Sequence, residues 1–324
     1  MHSFKKVIGN DHIVGALQSA LRRGCIGHAL CVAGKLGSGR KLITYAFAKA
    51  LQCESLRDAD SCGVCASCVS FEAGTHPDIF HIRPEKTSIG VEVVRERIVA
   101  EIAHRPHRYP YKIFIIEDAA ALTPQAQNAL LKTLEEPCGY GVFVLVAEKH
   151  ESLLPTVRSR CITYSTRPVG VAEITEYLAQ HTGLSGDECV RLAQLSQGSI
   201  GRALRLATDE EFTELRAYAA ELAEGRRTRS LVESFAQAKE LERYKHRISD
   251  VFDIMSMRYR DELIVGETGE SCRAMDPGTG LQSIYSKDSI LRKLAAVDKA
   301  RERLRFNGNF QMVMDSLLLI IREA

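Results

Sequence analysis

Residues 29–41 read ALCVAGKLGSGRK, an apolar run that breaks into glycines and ends on two adjacent cations. A short apolar run, a glycine-rich turn and then a helical pattern form a strand–loop–helix unit whose backbone N–H groups converge on an anion. Gly34 and Gly39 keep the spacing of the phosphate loop G-x-x-x-x-G-K-[ST], in which the lysine reaches the outer phosphates and the hydroxyl holds magnesium. Here Arg40 stands in the lysine's place and Lys41 in the hydroxyl's. An arginine's planar fork is no substitute for a compact ammonium. A cation in the magnesium position removes a ligand and adds repulsion. The loop is shaped to grip a nucleotide, and magnesium-assisted hydrolysis on it is expected to be badly impaired.

Working outward, the apolar runs DIFHI (78–82), YKIFIIED (111–118), VFVLVAE (142–148) and CITY (161–164) alternate with longer helix-like stretches. That order predicts an α/β fold, helices packed around a mostly parallel sheet. LTPQAQNALLKTLEEP (122–137) reads as a helix capped by Thr123, with Pro124 in its first turn, Pro137 ending it, and Ala126, Leu130, Leu131 and Leu134 on its apolar face. After RPVG (167–170) the strand patterns stop. VAEITEYLAQH (171–181), SGDECVRLAQLS (185–196) and SIGRALRLATDEE (199–211) predict a small helical domain at 167–208. Residues 209–324 read as a third, all-helical domain interrupted by the polar stretch GETGESCRAMDPGTG (266–280).

A nucleotide pocket of this kind also needs an acidic pair at the end of an apolar strand, one carboxylate for the metal and one to orient water. FIIEDAA supplies Glu117 and Asp118, in the reverse of the usual Asp-Glu order. Two acids at a solvated strand end are the alternative reading, and residue type does not separate the two.

Cys53, Cys62, Cys65 and Cys68 form C-x8-C-x2-C-x2-C, enough thiolates to close one tetrahedral shell. Zinc is the favoured occupant. An iron–sulfur cluster is the alternative, although the C-x3-C-P continuation of such a run is missing. With no position left for water, the metal is expected to be structural. Cys25, Cys31, Cys138, Cys161, Cys189 and Cys272 are scattered, as ordinary buried thiols are.

The chain has 324 residues, 45% of them hydrophobic, which suits a globular protein of two or three domains. Lysine and arginine number 43 against 41 acids, so no global charge announces nucleic acid. No apolar run reaches the roughly 18 to 20 residues that span a bilayer, and MHSFKKVIGNDH lacks a signal peptide's apolar stretch. The expected location is the cytoplasm, with the cysteines reduced or metal-bound.

NALLKTLEEP (128–137), the Ser159–Arg160–Cys161 triplet, the opening VIGNDH with the later HAL, the clustered cysteines and AGTHPD (73–78) together resemble the bacterial DNA polymerase III clamp-loader subunits. The resemblance runs through about residue 208 and is to the delta-prime kind rather than the gamma/tau motor. NGNFQMVMDSLLLII (307–321) is more loosely similar to the helical collar by which these subunits assemble.

The resemblance implies an AAA+ fold: a nucleotide-binding-like domain at 1–166 with a zinc module at 53–68, a helical lid at 167–208 and a collar at 209–324. It implies a ring containing gamma/tau motors and a delta subunit, which uses ATP to place a sliding clamp on primed DNA. Delta-prime members serve there as a stator. Arg160 matches a finger reaching the neighbouring motor's ATP, and the four cysteines match the zinc ligands. Gly34, Gly39, Arg40, Lys41 and Asp118 match a degenerate nucleotide pocket whose own ATP binding is expected to be weak or absent. Gly201 falls where motors place a sensing arginine. Arg202 sits one residue later, turned by about 100 degrees on a helix. Ala147 or Glu148 replaces the polar residue at the strand end.

Two other readings remain open: an active gamma/tau-type ATPase, and a zinc protein that reads nucleic acid directly. The segment VRERIVAEIAHRPHRYPYK (94–112) is basic enough for a DNA patch. With Glu96 and Glu101 interleaved, a solvated amphipathic helix followed by an extended lead into a strand is the preferred reading.

Overall fold

The computed structural model describes residues 2–84, 88–223, 231–268, 286–306 and 308–323. Cys272, with most of the polar stretch 266–280, lies outside them. The described chain divides into two compact units, one of residues 1–174 with 198–202 and one of residues 175–197 with 203–324. Among the described residues, helices alone follow the last strand, and we retain the finer boundaries at 166 and 208 as a proposal.

The first unit holds five parallel strands, β1 (Ala29–Ala33), β2 (Ile79–Ile82), β3 (Lys112–Ile116), β4 (Gly141–Ala147) and β5 (Ile162–Ser165), in the order β2-β3-β4-β1-β5. Each apolar run expected to be a strand is one. The three inner strands, β1, β3 and β4, are buried throughout, as strands covered on both faces must be.

Alternate residues of these strands enter two different cores. Leu30, Val32, Ile113, Ile115, Val144 and Val146 pack with Ile13 and Leu17 of α1 (Asp11–Arg23) and with Ile43 and Phe47 of α2 (Arg40–Leu51). Cys31, Phe114, Ile116, Phe143 and Leu145 pack on the other face. There they meet Val94 of α4 (Val91–Val94), Ile98 of a π-helical turn (Arg95–Val99) and Ile102 of α5 (Ala100–Ile102), which run as one helical segment. The same core takes in Leu130 and Leu134 of α6 (Pro124–Glu135) and Val157 of α7 (Pro155–Arg158). Helix α3 (Ala66–Glu72) lies in the excursion between α2 and β2.

The signals in the sequence explain the elements. Thr123 caps α6, its Oγ1 accepting from Ala126 N at 3.2 Å, with Pro124 in the first turn. Ala126, Leu130 and Leu134 are buried, and Leu131 is partly so.

Helices α8 (Val171–His181), α9 (Gly186–Leu195) and α10 (Ile200–Thr208) match the helical patterns after residue 167. The second unit continues with α11 (Glu210–Ala223), α12 (Leu231–Glu240), α13 (Ile248–Thr268), α14 (Lys287–Arg305) and α15 (Phe310–Glu323). Its core includes Leu215, Phe252, Met255, Tyr259, Val297 and Leu318. Among the described residues, no helix is long and apolar enough to cross a membrane.

Candidate functional site

The phosphate-type loop joins β1 to α2 at the sheet's C-terminal edge, the place where α/β folds bind ligands. Gly34 N donates to Ala147 O at 3.1 Å and Ser38 N to Lys35 O at 3.1 Å, fixing the turn. Gly37 and Gly39 have φ of 79° and 87°, the left-handed region that glycine enters without a Cβ penalty. The two cations that distinguish the loop are both engaged by other groups. Arg40 is buried, and its Nη1 donates to Gly34 O within the loop itself. Lys41 Nζ donates to Glu117 Oε2 at 2.8 Å.

Glu117 follows β3 and is only 3% exposed. Besides Lys41 it receives Tyr45 Oη at 2.5 Å and Arg83 Nε at 2.7 Å, and His81 Nδ1 lies 3.4 Å away. Burial alone would raise its pKa, but His81, Lys41, Tyr45 and Arg83 together hold the carboxyl well below the usual carboxylate range. The acid that would hold a metal is ionised and already ringed by donors. Tyr45, His81 and Arg83 were not singled out in the sequence, because nothing local ties them to a residue more than 30 positions away.

Asp118 is placed differently. It is exposed, has φ of 54°, and starts a 3-10 turn over Ala119–Ala121 without a side-chain capping bond. Ala147 is buried at the end of β4, and Glu148 beside it is exposed.

The crest of the loop is covered by the start of α10. Gly201 N donates to Gly37 O at 3.1 Å, and Ser199 Oγ donates to Leu36 O at 3.1 Å. A Cβ on Gly37 would overlap Ser199 Oγ, and one on Gly201 would lie 2.8 Å from Gly37 Cα, so two glycines permit this approach. Arg202 N is held by Ser199 Oγ at 3.2 Å. Beside Gly34, Thr166 Oγ1 donates to Ser38 Oγ at 3.0 Å.

Arg160 lies just past α7, a third exposed, away from these contacts. Its Nη2 meets Glu135 Oε1 at 2.6 Å, and its Nη1 donates to Thr156 O at 2.8 Å and to Ser159 Oγ at 3.2 Å.

The four cysteines come together as one group, their sulfurs all within 4.8 Å of one another. A tetrahedral ion with bonds of about 2.3 Å to sulfur needs sulfurs at roughly 3.8 Å, so the set fits a single metal ion. Backbone N–H groups face the sulfurs as they do around bound thiolates: Cys62 N to Cys53 Sγ at 3.2 Å, Cys65 N to Cys62 Sγ at 3.4 Å and Cys68 N to Cys65 Sγ at 3.4 Å. The N–H of Val64 leads in drawing the Cys62 thiol down to about 6.

Helix α3 carries Cys68 at one end of the excursion and ties it to the sheet unit at the other. Phe71 packs against Tyr45 and His81, with ring centroids 6.3 Å from each, and Glu72 binds the buried Lys49 at 2.6 Å. The AGTHPD stretch is structural. Asp78 is fully buried and accepts the N–H groups of His107, Arg108 and Tyr109 at 2.6, 2.9 and 3.1 Å, while the His76 ring lies 4.5 Å from that of Tyr109.

In the basic segment Arg95, Arg97, Arg105 and Arg108 are exposed. Lys112 is not: fully buried, it donates to Glu101 O at 2.7 Å and to His104 O at 3.4 Å, satisfying carbonyls at the end of α5.

The sequence family described as DNA polymerase III, delta subunit, matches residues 9–170, half of the chain. DNA polymerase III subunit delta' of Escherichia coli is 37% identical over 181 residues, which are 55% of this chain and 54% of that protein. DNA polymerase III subunit tau/gamma of Haemophilus influenzae is 32% identical over 213 residues, 64% of this chain and 30% of that protein. The chain thus spans about half the length of the first relative and less than a third of the second. DNA polymerase III subunit delta' of Bacillus subtilis is 27% identical over 324 residues, 96% of each chain.

Proposed function

The chain belongs to the DNA polymerase III delta subunit family, and on that premise we propose that it is a delta-prime-type stator of a clamp loader. It hydrolyses no ATP of its own and completes a neighbouring motor's ATP site with Arg160. The observation that carries the reading is the direct bond between Lys41 and Glu117. Magnesium-dependent phosphoryl transfer needs a free hydroxyl and a free carboxylate around the ion. This chain presents an ammonium and a carboxylate that neutralise each other. Arg40 supports the same reading, because its fork is engaged by the loop's own carbonyl.

The proposed setting is a cytoplasmic ring with gamma/tau motors and a delta subunit, acting on a sliding clamp and primed DNA. Residues 1–166 form its nucleotide-binding-like domain, 167–208 its lid and 209–324 its collar. Zinc is the proposed ion at Cys53, Cys62, Cys65 and Cys68, where it would cross-link the excursion. Four thiolates leave it no open position for water.

The test is DNA-stimulated ATP turnover by a reconstituted loader containing wild type, Arg160→Ala or Lys41→Ala. A finger of this kind is worth roughly a thousandfold or more in rate. The expected result is a loss of that order for Arg160→Ala at intact assembly and little change for Lys41→Ala. The reverse pattern would mean a gamma/tau-type motor.

A further inference from the structure

We propose that Glu135 is a positioning residue for Arg160, holding its guanidinium so that one edge stays open to a neighbour's nucleotide. The inference rests on the finger reading above. Glu135 is the last residue of α6 and Arg160 follows α7, so their meeting depends on how these two helices are joined.

The join is firm. Gln127 of α6 is 4% exposed and accepts Leu154 N at 2.7 Å through Oε1, while its Nε2 donates to Leu122 O at 3.2 Å. Leu130, Leu134, Leu153 and Val157 share one buried cluster. Glu135 is thus set by a packed helix, and Arg160 by the turn that directly follows another.

The guanidinium contacts are divided unevenly. Nη1 donates to Thr156 O and Ser159 Oγ, and Nη2 forms an ion pair with Glu135 Oε1 at 2.6 Å. Nε–H takes no part in these three contacts, and its side of the guanidinium is the one left to meet a phosphate oxygen. Thr156 and Ser159 belong to the same short segment as Arg160 and move with it. Among the described residues, Glu135 alone ties the guanidinium to another helix.

In the neighbour's site, water attacks the γ-phosphorus, forming a new P–O bond as the bond to the β-phosphate oxygen breaks. The water's protons pass to the released phosphate and solvent. Arg160 transfers no proton. It supplies charge at a fixed place, and placement is what a second anchor improves.

The experiment measures kcat and KM for ATP in the reconstituted, DNA-stimulated loader. Glu135→Ala is expected to lower kcat about tenfold with KM little changed. Glu135→Gln, which keeps an oxygen facing the guanidinium without the charge, is expected to retain part of the rate. In an Arg160→Ala background, Glu135→Ala should cost nothing further. Wild-type kcat for Glu135→Ala, or a further loss in that background, overturns the inference while the finger reading stands. No loss with Arg160→Ala at intact assembly overturns both.

Discussion

Lys41 Nζ donates to Glu117 Oε2 at 2.8 Å, so the loop and the strand end that a hydrolysing pocket would hold apart around a metal are joined directly. Restoring the loop's sequence should not restore the chemistry. Arg40→Lys combined with Lys41→Ser rebuilds G-x-x-x-x-G-K-[ST], yet Tyr45, His81 and Arg83 still surround Glu117. The purified double variant is expected to release no phosphate from ATP with magnesium above background. Clear magnesium-dependent turnover would show that the two loop cations, Arg40 and Lys41, are enough to silence the pocket.

Glu117 gives a pH signature. Its carboxyl is held below the usual range in the folded protein, so its stabilisation is complete above the unfolded carboxylate pKa of about 4.3 and fades as pH falls further. Glu117→Gln cannot titrate. Its cost at pH 7 should be roughly 1–3 kcal/mol, limited because Lys41 and Arg83 are 51% and 62% exposed and can turn to water. Denaturant unfolding from pH 7 to pH 3 should show the gap between the two proteins narrowing below about pH 4. A constant gap would count against an ionised, bonded Glu117.

The cysteine cluster predicts bound metal. The purified chain is expected to carry one zinc per molecule by atomic absorption. Cys62→Ser should weaken binding by more than the roughly 10–100-fold that changes outside the ligand shell cause, and should destabilise the first unit. One full equivalent retained by the variant under competition from a chelator would remove Cys62 from the ligand set.

Asp78 and Asp118 should part ways under substitution. Asp78→Ala strips the acceptor from three backbone N–H groups and is expected to cost roughly 3 kcal/mol or more in denaturant unfolding. Asp118→Asn alters an exposed side chain at a left-handed position that asparagine also accepts, and should stay within about 0.5 kcal/mol. Equal effects would contradict their placement.

What the sequence revealed was mostly periodic or adjacent. The strands, the Thr123 cap and the cysteine spacing were legible because their signals lie within a few residues. The chemistry of the pocket depended on distant partners. Lys41 could be recognised as foreign to a phosphate loop, but its bond to a residue 76 positions on could not. Lys112 looked like part of a basic segment, because a residue list does not show that the carbonyls of a helix end lie over it. Glu135 and Arg160 were each visible in a motif, and only the packing of α6 against α7 brings them together.

The arrangement around Glu117 also bears on descent. Each of its donors satisfies the same buried carboxylate, so no single substitution both frees that acid and gives it a metal ligand in exchange. On the stator reading proposed above, a return to hydrolysis would have to rewire one buried charge and not the loop alone.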